Sequence, residues 1–195
     1  MAEMRTFELR VAVSNSHVHL MEEHARVLFG TEQFDGSSTG HAKFIRTKST
    51  VTLRGPQGSL ERIRVLAPYS NETWVELNRT HAHRLGLHPP FEEGPLPEGV
   101  LHICGPKGEL EVNRNVIIEG RHIEVTRAQA ATWALTDGQV VSAEIDGARA
   151  LVFKNVKVRI LTEARPDFDG CLELDRDEAN AAFLGSGDRA RIIVD

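Results

Sequence analysis

Several residue types are scarce in this chain, and each scarcity excludes a class of protein. Only two of the 195 residues are cysteine, Cys104 and Cys171, and they form no Cys-x-x-Cys pair. This count excludes a disulfide-stapled secreted domain and is typical of a reducing cytosol. No apolar run approaches the roughly 20 residues that a membrane span needs. The first ten residues also lack the apolar core of a secretory signal.

The chain also lacks a large excess of charge of either sign. The formal net charge is −5, and the acidic residues are dispersed along the chain. Nothing in this distribution predicts a nucleic-acid partner or a membrane surface. The sequence contains no glycine-rich phosphate loop and no Gly-x-Ser-x-Gly nucleophile elbow. With 41% hydrophobic residues, the chain can form one large domain or two small, closely packed ones.

What the chain does contain is a short motif repeated four times. In each copy a His or Glu stands between two aliphatic residues, and a helix-like segment follows. The copies are Val18-His19-Leu20, Val75-Glu76-Leu77, Ile123-Glu124-Val125 and Leu172-Glu173-Leu174. Such alternation predicts a strand whose central side chain faces away from its neighbours. Two copies carry an extra histidine two residues upstream, at His17 and His122. Residues i and i+2 share a strand face, so each pair can converge on one ion.

These six residues predict two metal sites related by an internal repeat. His17, His19 and Glu76 form a set of two imidazoles and one carboxylate with open positions. That set suits catalytic zinc and also non-haem iron.

The second predicted set is His122, Glu124 and Glu173. Two carboxylates and one imidazole are harder ligands, better suited to manganese or iron, although zinc remains an option. The alternative is that Glu124 and Glu173 are exposed strand residues, or acids that complement a helix N-terminus.

Other charged residues near the ligand strands are weaker candidates. His81 and His83 also read His-x-His, but they lie at a predicted helix start, where residues two apart face different ways. We interpret them as surface residues, or at most substrate-proximal ones. Arg79 and Arg121 are predicted catalytic residues whose guanidinium groups hold a phosphate or carboxylate. The alternative is that both are ordinary surface arginines.

A second repeat indicates how the chain is organised. Residues 51–61 resemble residues 101–111, and each segment contains a Gly-Pro-x-Gly turn typical of a hairpin. Proline and glycine cluster between Gly86 and Gly99 and mark a joint. We therefore predict two closely packed halves, residues 1–90 with the first metal set and residues 91–195 with the second. Exchange of strands between the halves is left open.

Many short predicted strands and four short helices favour an α+β fold. The expected architecture is two small β-barrels related by the internal repeat, with the helices packed at their ends. Residues Thr31 to Thr50 are polar and without a clear period, which predicts a long loop.

The motifs resemble those of the PduL-type phosphotransacylases, or phosphate propanoyltransferases, from about Leu9 to the end of the chain. The matching segments are Val13-Ser-Asn-Ser-His-Val-His-Leu20, Val51-Thr-Leu-Arg-Gly-Pro-Gln-Gly58, Val75-Glu-Leu-Asn-Arg-Thr80, Gly120-Arg-His-Ile123 and Asp177-Glu-Ala-Asn-Ala-Ala182. The resemblance implies two barrels and a dinuclear zinc site that takes His17, His19 and Glu76 at one metal and His122 at the other. It also implies exchange of coenzyme A and inorganic phosphate on a short acyl group, in a cytoplasmic form without a targeting extension.

The chain departs from the family pattern at four positions. Where the family has histidines in the second half, this chain has Glu124 and Glu173. An arginine that the family uses for phosphate falls at Ser70, and its Ser-Asn-Arg-His is here Ser-Asn-Ser-His, with Ser16. Removing a charged partner from a phosphate weakens transition-state stabilisation.

Three functions are therefore open. The first is a phosphotransacylase with two divalent ions, and with acyl-CoA and phosphate as small-molecule substrates. The second is a divergent dinuclear metalloenzyme on the same scaffold, with iron or manganese and hydrolase or oxygen chemistry. The third is a non-catalytic relative. The sequence assigns no residue to coenzyme A binding and leaves homodimer formation open.

Overall fold

The computed structural model describes residues 5–30, 36–38, 44–92, 94–96 and 98–194. The described strands are β1 (Arg5–Ser14), β2 (His17–His19), β3 (Gly36–Ser38), β4 (Ile45–Arg54), β5 (Ser59–Ala67), β6 (Trp74–Glu76), β7 (Leu101–Cys104), β8 (Glu109–Val112), β9 (Val116–Ile117), β10 (His122–Thr126), β11 (Val140–Ile145), β12 (Leu151–Leu161), β13 (Cys171–Asp175) and β14 (Arg189–Val194). The helices are α1 (Glu22–Phe29), α2 (Arg79–Leu85), α3 (Arg127–Trp133) and α4 (Arg176–Ala182).

The chain divides into two compact units. Unit A comprises the described residues between 15 and 119, and unit B comprises residues 5–14 together with 120–194. The strands of unit B close into a barrel in the order β1-β13-β10-β12-β11-β14. The described strands of unit A form a sheet in the order β8-β7-β4-β5-β2-β6-β9, with β3 paired to β4. The α+β fold with two barrel-like sheets and short helices is as predicted.

Both units pair their ligand-bearing strands in the same way. In unit A, β2 runs antiparallel to β6, with His17 opposite Glu76, and parallel to β5. In unit B, β10 runs antiparallel to β13, with His122 opposite Glu173, and parallel to β12. The internal repeat therefore extends from the motif to the hydrogen-bonding register.

The alternation of each motif divides its side chains between a core and a polar face. Val18 of unit A is fully buried in an aliphatic cluster with Leu53 and Ile103. Ile123 and Leu172 take the corresponding place in the core of unit B. Because neighbouring strand residues point to opposite faces, these core side chains oblige the His and Glu residues to converge on the other face.

Each hairpin turn of the second repeat packs on a helix end within unit A. The Gln57 amide donates to the Leu85 carbonyl at the end of α2, at 3.1 Å, and the Lys107 amide donates to the Leu28 carbonyl of α1, at 2.9 Å. The approach is so close that a Cβ on Gly105 would lie 2.4 Å from the Leu28 carbonyl oxygen. The turns thus satisfy carbonyls that a helix end would leave without partners.

The observed division of the chain differs from the boundary predicted at residue 90. The two Gly-Pro-x-Gly hairpins do not belong to separate halves, because β4 pairs with β7 in a single sheet. Residues 91–119 therefore belong to unit A where the structure describes them. Strand β1 joins unit B instead, between β13 and β14.

Some element bounds also differ from the prediction. The loop predicted from Thr31 to Thr50 is wrong at its end, where residues 45–50 begin β4 and the Thr47 hydroxyl donates to the Val65 carbonyl at 2.7 Å. Residues 31–35 and 39–43 lie outside the described part of the chain. Helix α2 begins two residues earlier than expected, because the Asn78 side chain caps it by accepting the His81 amide at 2.8 Å.

Candidate metal centre

Three buried side chains of unit A converge on one point. The Nε2 atoms of His17 and His19 lie 2.9 Å apart. The two carboxylate oxygens of Glu76 lie 3.3 Å from His17 Nε2 and 3.6 Å from His19 Nε2. We call these residues the first cluster. Their side chains are between 1% and 12% exposed, so the donor atoms meet away from bulk water.

The surroundings of the first cluster fix the orientation of both imidazoles. His17 Nδ1 lies 2.7 Å from the Asn15 carbonyl and donates a hydrogen bond to it, so Nε2 is the nitrogen that faces the cluster. His19 packs edge-on against the rings of Phe44 and Trp74, at centroid distances of 4.4 and 4.7 Å. Neither imidazole can turn away without losing one of these contacts.

Glu76 is ionised in this setting. Burial raises the pKa of the carboxyl group, but the charge of His17 and hydrogen bonds from His17, His19 and Glu119 outweigh it and hold the pKa well below its ordinary value. The cluster therefore offers one carboxylate and two imidazole nitrogens.

This donor set fits a divalent cation. In a tetrahedral zinc site with bonds of 2.0–2.2 Å, neighbouring donors lie about 3.3 Å apart. The two imidazole nitrogens of the first cluster lie 2.9 Å apart, and each lies 3.3 or 3.6 Å from one of the two Glu76 oxygens, so these distances bracket that value. Three protein donors leave one tetrahedral position open, as in catalytic zinc sites.

The structure also brings together His122, Glu124 and Glu173 in unit B, and we call them the second cluster. They offer ligand atoms that all lie within 4.8 Å of one another, and His122 Nε2 is 3.5 Å from a Glu173 oxygen. His122 Nδ1 is 2.9 Å from the Gly120 carbonyl, two residues back, which repeats the contact between His17 and Asn15.

A cation already contacts the second cluster. Arg159 Nη1 lies 3.2 Å from His122 Nε2, the nitrogen that a metal ion would require. Burial of the Cys171 thiol, reinforced by the charges of Glu173 and Glu124, raises its pKa well above the ordinary value. Cys171 is therefore a neutral thiol beside the cluster. Because Arg159 already contacts His122 Nε2, the second cluster fits a divalent ion less well than the first cluster does.

The two predicted catalytic arginines have different environments. Arg121 is held by the Glu178 carboxylate at 2.6 Å and the Lys154 carbonyl at 3.0 Å, and its guanidinium lies over the Phe153 ring. Arg79 is the first residue of α2, is exposed, and makes no ion pair with any residue that the structure describes. Of the two, Arg79 is the more exposed residue, whereas the Arg121 side chain is 32% exposed and paired with Glu178.

The remaining candidates surround the first cluster or lie apart from it. Ser16 is buried, and its hydroxyl accepts the Asn78 amide at 3.1 Å and lies 2.8 Å from His81 Nδ1. His81 is thus connected to a ligand strand, whereas His83 is exposed. Ser70 donates its amide to the Leu20 carbonyl at 3.0 Å.

Comparison with known proteins identifies the family of this chain. The family model described as phosphate propanoyltransferase matches residues 10–185. The chain belongs to the phosphate propanoyltransferase family. It is therefore an enzyme of the acyltransferase class.

Individual relatives cover nearly the whole chain. A phosphate propanoyltransferase of Thermotoga maritima is 39% identical over 192 residues, which cover 94% of this chain and 88% of the relative. The proteins of that name from Clostridioides difficile and Salmonella typhimurium are 34% and 33% identical, and cover 95% and 92% of this chain and 88% and 86% of their own. Within the described residues, no helix is both long enough and apolar enough to cross a membrane.

Sequence reasoning missed Arg159, Phe44 and Trp74 as neighbours of the clusters. No motif marks Arg159, because its place depends on the parallel pairing of β12 with β10. Trp74 had a signal, since it lies two residues before Glu76 on the same strand face.

Proposed function

We propose that this protein transfers a short acyl group between coenzyme A and inorganic phosphate, with a zinc ion held by His17, His19 and Glu76. The observation that carries the proposal is the convergence of two imidazole nitrogens, 2.9 Å apart, with the carboxylate oxygens of Glu76 at 3.3 and 3.6 Å, in a chain of the phosphate propanoyltransferase family. The relatives' name supports propanoyl-CoA as the first substrate to test.

In the proposed reaction, a phosphate oxygen attacks the thioester carbonyl carbon and the carbon–sulfur bond breaks. The products are an acyl phosphate and coenzyme A, whose thiolate takes up the proton that phosphate releases. A bound zinc ion supplies a Lewis acid that polarises the reacting oxygen atoms.

The residues of the chain contribute orientation and charge. The Asn15 carbonyl accepts a hydrogen bond from His17 Nδ1, which directs Nε2 at the cluster as the ligand nitrogen. Glu76 keeps its negative charge because its pKa is low. The rings of Phe44 and Trp74 exclude water from one side of His19, which strengthens electrostatic interactions in the cluster.

Phosphate requires a cationic partner, and Arg79 is the candidate in unit A. Arg79 is exposed, and it follows Glu76, the last residue of β6, by three residues. Replacing it should raise the KM for phosphate more than the KM for acyl-CoA, since guanidinium groups bind phosphate through paired hydrogen bonds. Arg121 is already engaged by Glu178, and we propose that it positions α4.

The proposal is tested by following the release of coenzyme A thiol from propanoyl-CoA with and without phosphate. We expect phosphate-dependent release that a chelator abolishes and zinc restores. His17→Ala should reduce the rate at least about 100-fold, because it removes one of three metal donors. His83→Ala is the matched control, since it alters the other His-x-His motif at an exposed residue.

Two results would contradict the proposal. Thiol release at a rate independent of phosphate would indicate a hydrolase. Absence of thiol release from acetyl-, propanoyl- and butanoyl-CoA would rule out the proposed transferase activity. The comparisons give no support to the alternative hydrolase or oxygen chemistry with iron or manganese. The metal that copurifies with active protein distinguishes that alternative directly.

A further inference from the structure

We infer that Arg159 supplies the positive charge of the second cluster, so that His122, Glu124 and Glu173 hold a guanidinium group in place of a second divalent ion. The inference differs from the two ions that the sequence predicts. It rests on the proposed function only in using the first cluster as the reference metal site.

The hydrogen-bond geometry of His122 is the first argument. Its Nδ1 donates to the Gly120 carbonyl at 2.9 Å, so Nε2 is the nitrogen that faces the cluster. Arg159 Nη1 lies 3.2 Å from that Nε2. A guanidinium nitrogen is always a donor, and one lone pair either accepts a hydrogen bond or binds a metal. The contact therefore uses the atom that a metal ion would need.

The internal repeat supplies the second argument, because it allows position-by-position comparison. In unit B, Glu124 of β10 stands opposite Arg159 of β12. In unit A, the equivalent residue His19 of β2 stands opposite Leu66 of β5. At the place where the first cluster has a buried aliphatic side chain, the second cluster has a cation.

Charge is the third argument. Glu173 is nearly fully buried, and Glu124 is half-buried one strand away. Buried carboxylates need a nearby positive charge, and a guanidinium meets carboxylates with good geometry. A divalent ion added beside Arg159 would place two cations in contact in a region of low dielectric constant.

The donor set is consistent with this assignment. Two differences between the clusters and their neighbours bear on charge, namely His19 of unit A against Glu124 of unit B and Leu66 of unit A against Arg159 of unit B. A neutral ligand and an aliphatic neighbour in one unit thus become a carboxylate and a guanidinium in the other. The charge changes compensate each other within one pair of adjacent strands.

The experiment measures zinc bound per chain, by elemental analysis after equilibration with excess zinc and removal of the free ion. The variants are His122→Asn, Arg159→Leu and the double variant. Asn at position 122 can still donate to the Gly120 carbonyl but lacks Nε2, and Leu at position 159 copies Leu66. Arg64→Leu is the matched control, since Arg64 lies on β5 opposite His17 and its guanidinium donates to the Thr47 carbonyl at 2.5 Å.

We expect His122→Asn to leave the zinc content unchanged, and Arg159→Leu to gain about one ion per chain at the vacated tetrahedral position. The gain should disappear in the double variant and be absent in Arg64→Leu. Loss of an ion on His122→Asn alone would overturn the inference, as would an unchanged zinc content in folded Arg159→Leu.

Because each variant is compared with the unaltered protein, the change in zinc content reports on the second cluster alone, whether or not the first cluster binds zinc. If Arg159→Leu does not fold, the comparison of His122→Asn with the unaltered protein still decides. Loss of zinc on His17→Ala concerns only the proposed function, so the two proposals fail separately.

Discussion

Replacing Glu76 with glutamine should separate the metal-binding role of the first cluster from its packing role. The amide has nearly the shape of the carboxyl group, so the core around Val75 stays filled. The side chain loses its charge, and the cluster loses the carboxylate ligand whose oxygens lie 3.3 and 3.6 Å from the two imidazole nitrogens. The effect should therefore depend on whether zinc is bound.

The size of the effect follows from linkage. Zinc at about 1,000 times its Kd stabilises the folded state by about 4.1 kcal/mol. If the lost ligand weakens binding about 100-fold, the same zinc concentration is only about 10 times the Kd and stabilises by about 1.4 kcal/mol. A chelator should thus lower the free energy of unfolding by about 4 kcal/mol in the unaltered protein and by only about 1.4 kcal/mol in Glu76→Gln.

The assay is denaturant unfolding followed by tryptophan fluorescence in a Trp133→Phe background. Trp133 stacks on Phe7 in unit B, at a centroid distance of 3.9 Å, so its removal leaves Trp74 beside His19 as the reporter of unit A. Any cost of losing the Glu76 charge in the metal-free protein is present with and without chelator, so it cancels. If the chelator shifts both proteins equally, or neither, the first cluster is not a metal site.

Three further predictions concern packing, helix capping and cysteine reactivity. Gly105→Ala should destabilise the protein by more than about 2 kcal/mol in thermal or denaturant unfolding, since its Cβ would lie 2.4 Å from a helix carbonyl oxygen. Gly185→Ala is the control and should change the stability little, because the nearest atom to its Cβ would be 3.9 Å away. Equal effects of the two substitutions would refute the close approach at Gly105. Asn78→Ala should cost about 1 kcal/mol by the same measurement, because it removes the cap of α2, and an unchanged midpoint would contradict that role. Iodoacetamide at pH 8 should label Cys104 before Cys171, because burial and a raised pKa keep Cys171 a thiol. The contribution of Cys171 to the free energy of unfolding should fall only as the pH rises above the ordinary pKa of a thiol. Labelling of Cys171 first in the native protein would refute this.

The sequence was informative where a pattern is local. The alternation around His17, Val18 and His19 determines which side chains share a face, and the structure brings the three predicted donors of each cluster together. Whether either cluster holds an ion stays a prediction. The hairpin turns were also recognisable, because Gly-Pro-x-Gly has few other uses between two extended runs.

The sequence was uninformative where the answer depends on pairing between distant segments. Nothing in the composition of β1 indicates that it pairs with β13 and β14 and not with its neighbour β2. The similarity of the two hairpins led to one being assigned to each half, because likeness cannot distinguish a repeat within a sheet from a repeat between sheets. The position of Arg159 depends on the same kind of long-range register.

The place of β1 in unit B has a consequence for synthesis on the ribosome. Both of its partners, β13 and β14, are translated after all of unit A. Unit A can therefore form all of its described strands while β1 has no strand to pair with. During that interval β1, with its apolar residues Val11, Ala12 and Val13, is a strand with two open edges, the kind of segment that pairs with the wrong chain. Slowing translation between residues 120 and 170 should therefore lengthen the exposure of β1 and favour aggregation of nascent chains.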